Sequence, residues 1–383
     1  MSEKIVLIDG HSILNRAFYG LPDLTNSEGL HTNAVYGFLN IMFKILEEEK
    51  PDYLTVAFDV PQPTFRHEMF AEYKGTRKPM ASELREQVPL MKEVLQSMGV
   101  PTVSMEGYEA DDLLGTIARR SEEKGMDVTI VSGDRDLLQL ATDKILIRVP
   151  KTRGGKTVIE DYHTAEVLET YQVTPPQIID LKALMGDTAD NIPGIPGVGE
   201  KTATKLIVEY GSIENAHEHL EEIKPNKARE SLREHYDLAV LSKDLATIRV
   251  DSPVEFSWED AKLENLYTPE AYEMFKRLDF KNLLTRFEKV EASAAPQVEI
   301  LEDLGEVQNL WEKAGACERA GVSLVEGKQE VLGVGLAFEE QKAWYIPVSG
   351  FVTEEYLLGM VWQRNIWENS FRPGKKFSEA ENT

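Results

Sequence analysis

A single cysteine, Cys317, in 383 residues excludes an internal disulfide framework and a thiolate metal cage, and suits a reducing compartment. No apolar run approaches the roughly 18–20 residues needed to cross a bilayer. The N-terminus, Met1-Ser2-Glu3-Lys4-Ile5, leads straight into a short β-like run with no leader pattern. Neither export nor a membrane partner is expected, and the cytoplasm is the expected location. Positive charge is scarce as well: 42 Lys and Arg stand against 66 Asp and Glu, a formal charge of −24. That deficit argues against nucleic acid, because phosphate binding is driven by cations that release condensed counterions. Net charge hides distribution, however. Residues 1–289 hold 34 basic and 50 acidic side chains, and residues 290–383 hold 8 and 16. The useful question is whether carboxylates gather where metal ions would neutralise them, leaving basic strips for a polyanion.

What is present is ample core material, 42% apolar residues, in a length that suits two or three domains. Continuous runs at Ile5–Ile8, Tyr53–Phe58, Val128–Val131 and Ile145–Ile147 are separated by helical patterns such as Ala34–Glu48. Such runs predict an α/β domain, over 1–160, with a parallel sheet covered on both faces. Ligands then collect beyond the carboxyl ends of the strands. From 161 to 289 helical patterns dominate. Residues 290–298, small and polar, read as a linker. A further domain over 299–383 is expected, with a helix near Glu302–Ala314 and strands at Val322–Val325, Val331–Phe338 and Ala343–Pro347. Its last stretch, from Asn369 to Thr383, lacks core periodicity, so this domain is expected to be partial.

Acids recur at the expected strand ends. Asp9 follows the first run and Asp59 the second. Glu109, Asp111 and Asp112 crowd the start of a helix, Asp134 and Asp136 follow the third run, and Asp187 and Asp190 lie three residues apart. A helix N-terminus favours acids through its dipole, yet three within four residues repel one another without a cation. Nine carboxylates on one sheet edge demand divalent metals. All-oxygen ligands select Mg²⁺ or Mn²⁺, and two such ions are a recurring solution for phosphodiester hydrolysis. His11, alone in a strand-end loop, reads as structural rather than as a general base.

Two features suit nucleic acid. Residues 64–92 reverse the local charge, with Arg66, Lys74, Arg77, Lys78, Arg85 and Lys92 against four acids, and interleave aromatics such as Tyr73. Further on, Ile192-Pro193-Gly194-Ile195-Pro196-Gly197-Val198-Gly199-Glu200-Lys201 predicts a tight hairpin opening a helix, with backbone N–H groups offered to a phosphate and Lys201 and Lys205 one turn apart. A dinucleotide-binding loop would need a preceding strand. A Walker loop would need its Gly-Lys-Ser/Thr ending. A helix-hairpin-helix over about 190–210 is the reading that remains.

Taken together, Ile8-Asp9-Gly10, Tyr73-Lys74-Gly75-Thr76-Arg77, Glu109-Ala110-Asp111-Asp112, Ser132-Gly133-Asp134-Arg135-Asp136, Gly186-Asp187-Thr188-Ala189-Asp190-Asn191 and the glycine hairpin resemble, in order, the 5′-nuclease superfamily. Within it the chain closely resembles the N-terminal 5′→3′ exonuclease domain of bacterial DNA polymerase I, and the resemblance runs from about Ile5 to Phe287. It implies a PIN-like sheet, a helical arch over about 64–95 and a helix-hairpin-helix subdomain. It also implies a structure-selective 5′→3′ exonuclease and flap endonuclease acting in primer removal and repair. Asp9, Asp59, Glu109, Asp111 and Asp112 would serve one metal position, and Asp134, Asp136, Asp187 and Asp190 the second. Lys74 and Arg77 would join the chemistry. Tyr73, Lys74, Arg77 and Lys78 would meet the strand, with Arg66, and Arg16 would approach the scissile phosphate. Gly194, Gly197, Gly199, Lys201 and Lys205 would hold the duplex, with a K⁺ ion at the hairpin carbonyls. The partner implied is DNA with a 5′ flap, nick or RNA primer, bound by a monomer in a bacterial, nucleoid-associated setting.

Residues 299–350 resemble more weakly the start of the 3′→5′ exonuclease domain, of RNase H-like α/β fold, that precedes a polymerase domain in full-length relatives. Leu324-Val325-Glu326 lacks the leading Asp of that domain's metal motif, so no proofreading is expected, nor any polymerase activity from these residues. The alternative is a catalytically silent DNA-binding fragment.

Overall fold

The computed structural model describes residues 2–153, 156–294, 297–317, 320–326, 331–339, 342–349 and 352–363. The tail from Asn369 to Thr383, expected to close a partial domain, lies outside the described residues. The chain divides into two compact units, Met1–Leu284 and Thr285–Thr383.

In the first unit, β1 (Lys4–Asp9), β2 (Tyr53–Ala57), β3 (Thr102–Val103), β4 (Asp127–Val131), β5 (Ile145–Arg153) and β6 (Lys156–Tyr162) form one sheet of order β3-β2-β1-β4-β5-β6. The first five strands are parallel, and β6 returns antiparallel on β5. Ile5, Val6, Leu7 and Ile8 are all buried, as a strand covered on both faces requires. Ile5 and Leu7 share a core with Leu113, Leu114 and Ile117 of a following helix; alternation sends Val6 and Ile8 to the opposite face. Strand order reverses between β1 and β4, so the crevice beyond their carboxyl ends is the topological switch point.

Helices α1 (Gly10–Gly20), α2 (Asn33–Glu49), α3 (Phe65–Met69), α4 (Ser82–Ser97) and α5 (Ala110–Glu123) belong to this half. The stretch from 64 to 95, for which an arch is expected, holds α3, a turn-rich run over 70–81 and most of α4. Leu84, Leu90, Met91, Val94 and Leu95 bury the apolar stripe of α4, which packs on α1 and α2. Gln87 accepts the Ala34 N–H at 2.8 Å, satisfying an orphan donor at the start of α2. An amphipathic helix beside an apolar surface gains more by lying down than by standing in solvent.

Then come α6 (Thr164–Tyr171), α7 (Gln177–Met185), α8 (Glu200–Tyr210), α9 (Ile213–Glu218), α10 (Asn226–Glu234), α11 (Tyr236–Ala246), α12 (Pro269–Arg277) and α13 (Lys281–Ala294). Helix α7 packs on α8, α9 and α11. The stretch read as a linker over 290–298 is helical to Ala294, because Glu291, Ala292 and Ala294 are good helix formers. The second unit carries β7 (Gln297–Ile300), α14 (Leu304–Ala316), β8 (Gly321–Glu326), β9 (Val331–Glu339), β10 (Lys342–Pro347) and α15 (Glu354–Gln363). Its sheet has the order β7-β10-β9-β8, and Trp311, Val334, Leu336 and Ile346 lie in its core. No described helix is long and apolar enough to cross a membrane.

Candidate active site

Asp9 is the last residue of β1 and caps α1, its carboxylate accepting the Ser12 N–H at 3.0 Å and the Ser132 hydroxyl at 2.7 Å. Asp59 stands two residues past β2 and accepts the Ala110 N–H at 2.8 Å, which joins it to the start of α5. Asp134, three residues past β4, accepts the Asp136 N–H at 2.9 Å. With Glu109 and Asp111 these side chains line one cleft of about 1080 Å³ at the switch point, together with His11, Arg16, Tyr19, Lys74, Arg77 and Lys78. Asp134 also lines a second cleft of about 1290 Å³, shared with Asp136, Lys182, Asp187, Lys201 and Lys205. It is the one predicted acid that belongs to both.

Crowding shows in the proton affinities. Burial first, then the charge of Asp59, raises Asp9 to about 7. Burial, with Asp9 and Asp134 next, holds Asp111 well above the ordinary carboxylate value. Asp136 rises to about 7 through burial and Asp134, despite its contact with the Lys182 ammonium. Asp187 goes the other way: burial would raise it, but the hydrogen bond from Lys182, 2.6 Å away, holds it low.

The structure redistributes several predicted roles. Asp112, fully buried, does not face the cleft; both its oxygens accept from Arg66, at 2.7 and 2.8 Å, and it also takes the backbone N–H groups of Glu109 and Arg249. That leaves no lone pair for a metal. Arg66, expected to meet phosphate, is 3% exposed in this pair. Tyr73, expected to meet the strand, is also 3% exposed, and donates its hydroxyl toward Glu109 at 3.1 Å and Asp190 at 3.2 Å. These two groups are drawn inward because uncompensated buried carboxylates need donors. Lys74 and Arg77 remain at the cleft: Lys74 Nζ lies 2.7 Å from Glu109, and Arg77 pairs with Asp190. Lys74 has φ +55, a left-handed conformation that a non-glycine residue holds only under tertiary constraint. Lys182, not foreseen, bridges Asp136 and Asp187; its only sequence signal is a lysine inside the apolar run of α7. His11 accepts the Asp59 N–H on Nδ1 at 3.1 Å, and burial lowers its pKa.

The glycines of the hairpin interlock. Gly186 and Gly194 have φ of +72 and +61, and the Asp187–Ile192 bridge closes between them with paired bonds of 2.9 and 2.8 Å. Gly199 caps α8, whose exposed Lys201 and Lys205 face the second cleft.

Among the described residues no three His, Cys, Asp or Glu side chains already stand at the spacing that one metal ion would bridge. Ammonium and guanidinium groups instead take up part of the charge. The donor chemistry nonetheless fits a hard cation, since every carboxylate on the cleft is oxygen-only and the raised proton affinities register missing positive charge. In the metal-free protein the raised groups bind protons that the unfolded chain, with Asp near 3.9, releases. Stability should therefore fall as pH rises from about 4 to about 7. Asp187, held low, acts only below that window. Melting in EDTA is expected at a higher temperature at pH 5.5 than at pH 7.5, with added Mg²⁺ raising it more at pH 7.5. A flat profile would show that the carboxylates are not crowded.

Residues 4–172 match the family described as 5′-3′ exonuclease, N-terminal resolvase-like domain, and residues 173–268 that described as 5′-3′ exonuclease, C-terminal SAM fold. DNA polymerase I of Bacillus caldotenax is 49% identical over 288 residues, 75% of this chain and 33% of that protein. DNA polymerase I of Bacillus subtilis is 46% identical over 302 residues, 79% of this chain and 34% of that protein. The chain thus spans about a third of the length of the curated relatives it matches. Among solved structures, a T5 5′-exonuclease with bound divalent metal ions (zinc) aligns with a TM-score of 0.54 at 22% identity, over 75% of this chain and 97% of that one, a likeness of fold.

Proposed function

This chain belongs to the 5′-3′ exonuclease family, and from that premise we propose that it hydrolyses phosphodiester bonds near the 5′ ends of duplex DNA, as a metal-dependent exonuclease and flap endonuclease of the kind that removes RNA primers and serves repair. The observation that carries this reading is the crowd of carboxylates at the switch point, with Asp134 common to two clefts and Lys74 and Arg77 at the rim. Asp9, Asp59, Glu109, Asp111 and Asp134 would hold one divalent ion, and Asp134, Asp136 and Asp187 a second. Bound there, such ions supply the electrophilic stabilisation and water activation that phosphodiester hydrolysis needs.

The protein's own part is positioning. Lys74 and Arg77 turn toward the arriving phosphate from Glu109 and Asp190, exchanging one anion for another. Arg16 flanks the same cleft. Asp190 is expected to act as their anchor rather than as a metal ligand, because it lines neither of the two clefts while Arg77 and the Tyr73 hydroxyl engage its carboxylate. The hairpin and α8 hold the duplex by backbone N–H groups, Lys201 and Lys205, so selection follows the shape of a nick or flap and not its bases. In the second unit Glu326 ends β8 with no Asp in that strand, and no proofreading is proposed.

The test is cleavage of a 5′-labelled flap duplex by the full chain with Mg²⁺, beside EDTA and a blocked 5′ end. Release of a short labelled oligonucleotide that needs both the metal and the free end is expected. Binding without cutting under every condition would overturn the catalytic reading in favour of a silent DNA-binding chain.

A further inference from the structure

The helix that holds the glycine hairpin is also the helix that reaches the carboxylate site. Ser242 of α11 accepts the Gly194 N–H at 3.0 Å. One turn further on, the backbone from Leu245 to Arg249 is held by side chains of the sheet half. Arg66 Nε donates to the Leu245 carbonyl at 2.9 Å and Arg66 Nη2 to the Thr247 carbonyl at 2.8 Å. Gln139 donates to the Ala246 carbonyl at 3.0 Å and accepts the Ile248 N–H at 2.9 Å. Asp112 accepts the Arg249 N–H at 2.8 Å.

The carbonyls that end a helix lack intrahelical donors and usually go to water; here a guanidinium distant in sequence satisfies them. That guanidinium reaches Glu109 as well, at 3.4 Å, while Asp112 fixes the Glu109 N–H at 3.0 Å. An apolar pair of similar volume often stabilises as well as a buried ion pair. A pair that bonds two carbonyls, two N–H groups and a cleft carboxylate at once does something an apolar pair cannot: it sets relative position.

We propose that Arg66 is a positioning residue. With Asp112 it sets the Glu109 carboxylate and locks it to the end of α11, so that one buried bridge fixes the offset between the hairpin's hold on the duplex and the reacting carboxylates. That offset selects which phosphodiester is cut. The proposal rests on the nuclease reading above.

Arg66→Lys keeps the charge but cannot hold two carbonyls and both Asp112 oxygens together. In the full chain with Mg²⁺ and a 5′ flap, turnover is expected to fall about 10²-fold, the scale of a 1 Å misplacement, with KM within about threefold of native. Cuts should scatter to phosphodiesters on either side of the native position. Binding of the same flap in Ca²⁺, read by anisotropy, and the cooperative melt should survive. Should Arg66→Lys fail to fold, Arg66→Gln/Asp112→Asn removes both buried charges together and keeps amide donors and acceptors for the backbone groups; it should melt cooperatively and still cut slowly and with scatter. A single native cut site at native turnover in either folded variant overturns the proposal. So does a loss of cutting that merely follows loss of flap binding or of folded protein. Failure of the native chain to cut at all would overturn the nuclease reading itself, and this proposal with it.

Discussion

Asp134→Asn should yield a folded protein that binds a flap duplex within about threefold of the native chain yet cuts it at least about 10³-fold more slowly, a loss of about 4 kcal/mol in transition-state stabilisation. The fold survives because the residue's one hydrogen bond as acceptor, from the Asp136 N–H at 2.9 Å, can be kept by the amide oxygen. What disappears is a negative charge that bears on Asp9, Asp111 and Asp136 at once. The metal-free variant should therefore melt higher than native at pH 7.5, while its gain from Mg²⁺ shrinks. Single-turnover cleavage, anisotropy in Ca²⁺ and melting curves read the three effects separately. Equal losses of binding and cutting would refute the placement of Asp134 at the chemistry.

Gly194→Ala should damage the other end of the mechanism. At φ +61 an added Cβ would lie 2.3 Å from the Gly186 nitrogen and 2.6 Å from the Met185 carbonyl carbon, backbone atoms that cannot swing aside. We expect a stability loss of about 2–4 kcal/mol from combined overpacking and left-handed strain. Duplex affinity should fall by at least about tenfold, more than 1.4 kcal/mol. Cleavage should fall as well, since Gly186 adjoins Asp187. Gly199→Ala is the contrast: nothing lies within 4 Å of its added Cβ and its φ is −103, so stability should change by no more than about 1 kcal/mol, the scale of a poorer N-cap. Chemical denaturation of both variants decides the point; equal stability would mean that the interlocked glycines are not what shapes the hairpin.

Much of this architecture was legible because it is written in period and position. Continuous apolar runs ending in Asp9, Asp59 and Asp134 place acids at the carboxyl ends of parallel strands, and only a sheet covered on both faces makes such runs. Direction was harder to read. Asp111 and Asp112 are neighbours in sequence, but successive helical side chains point about 100° apart. One therefore enters the cleft while the other turns to Arg66, itself counted as a surface cation because its text is basic. The packing of α4 was hard to read for a related reason, since its charges are conspicuous and its apolar stripe is not. Lys182 and Tyr73 escaped because their roles are defined by distant carboxylates, a tertiary fact with no local pattern. Strand β6 escaped because its apolar run is only Val158-Ile159, set between charged residues at an antiparallel edge.

The pairing of β1 with its neighbours bears on how the gene can change length. Ile5 to Asp9 align residue for residue with Tyr53 to Ala57 on one side, and Lys4 to Ile8 with Asp127 to Val131 on the other. Losing or gaining one codon inside β1 would turn its whole set of side chains to opposite faces, sending Asp9 away from the crevice while leaving the composition almost untouched. Exposed connections that pair with no strand, such as residues 61–63, carry no such register and can absorb insertions. Length variation in descendants of this chain should therefore collect in those connections and spare the six residues of β1, whatever substitutions they accept.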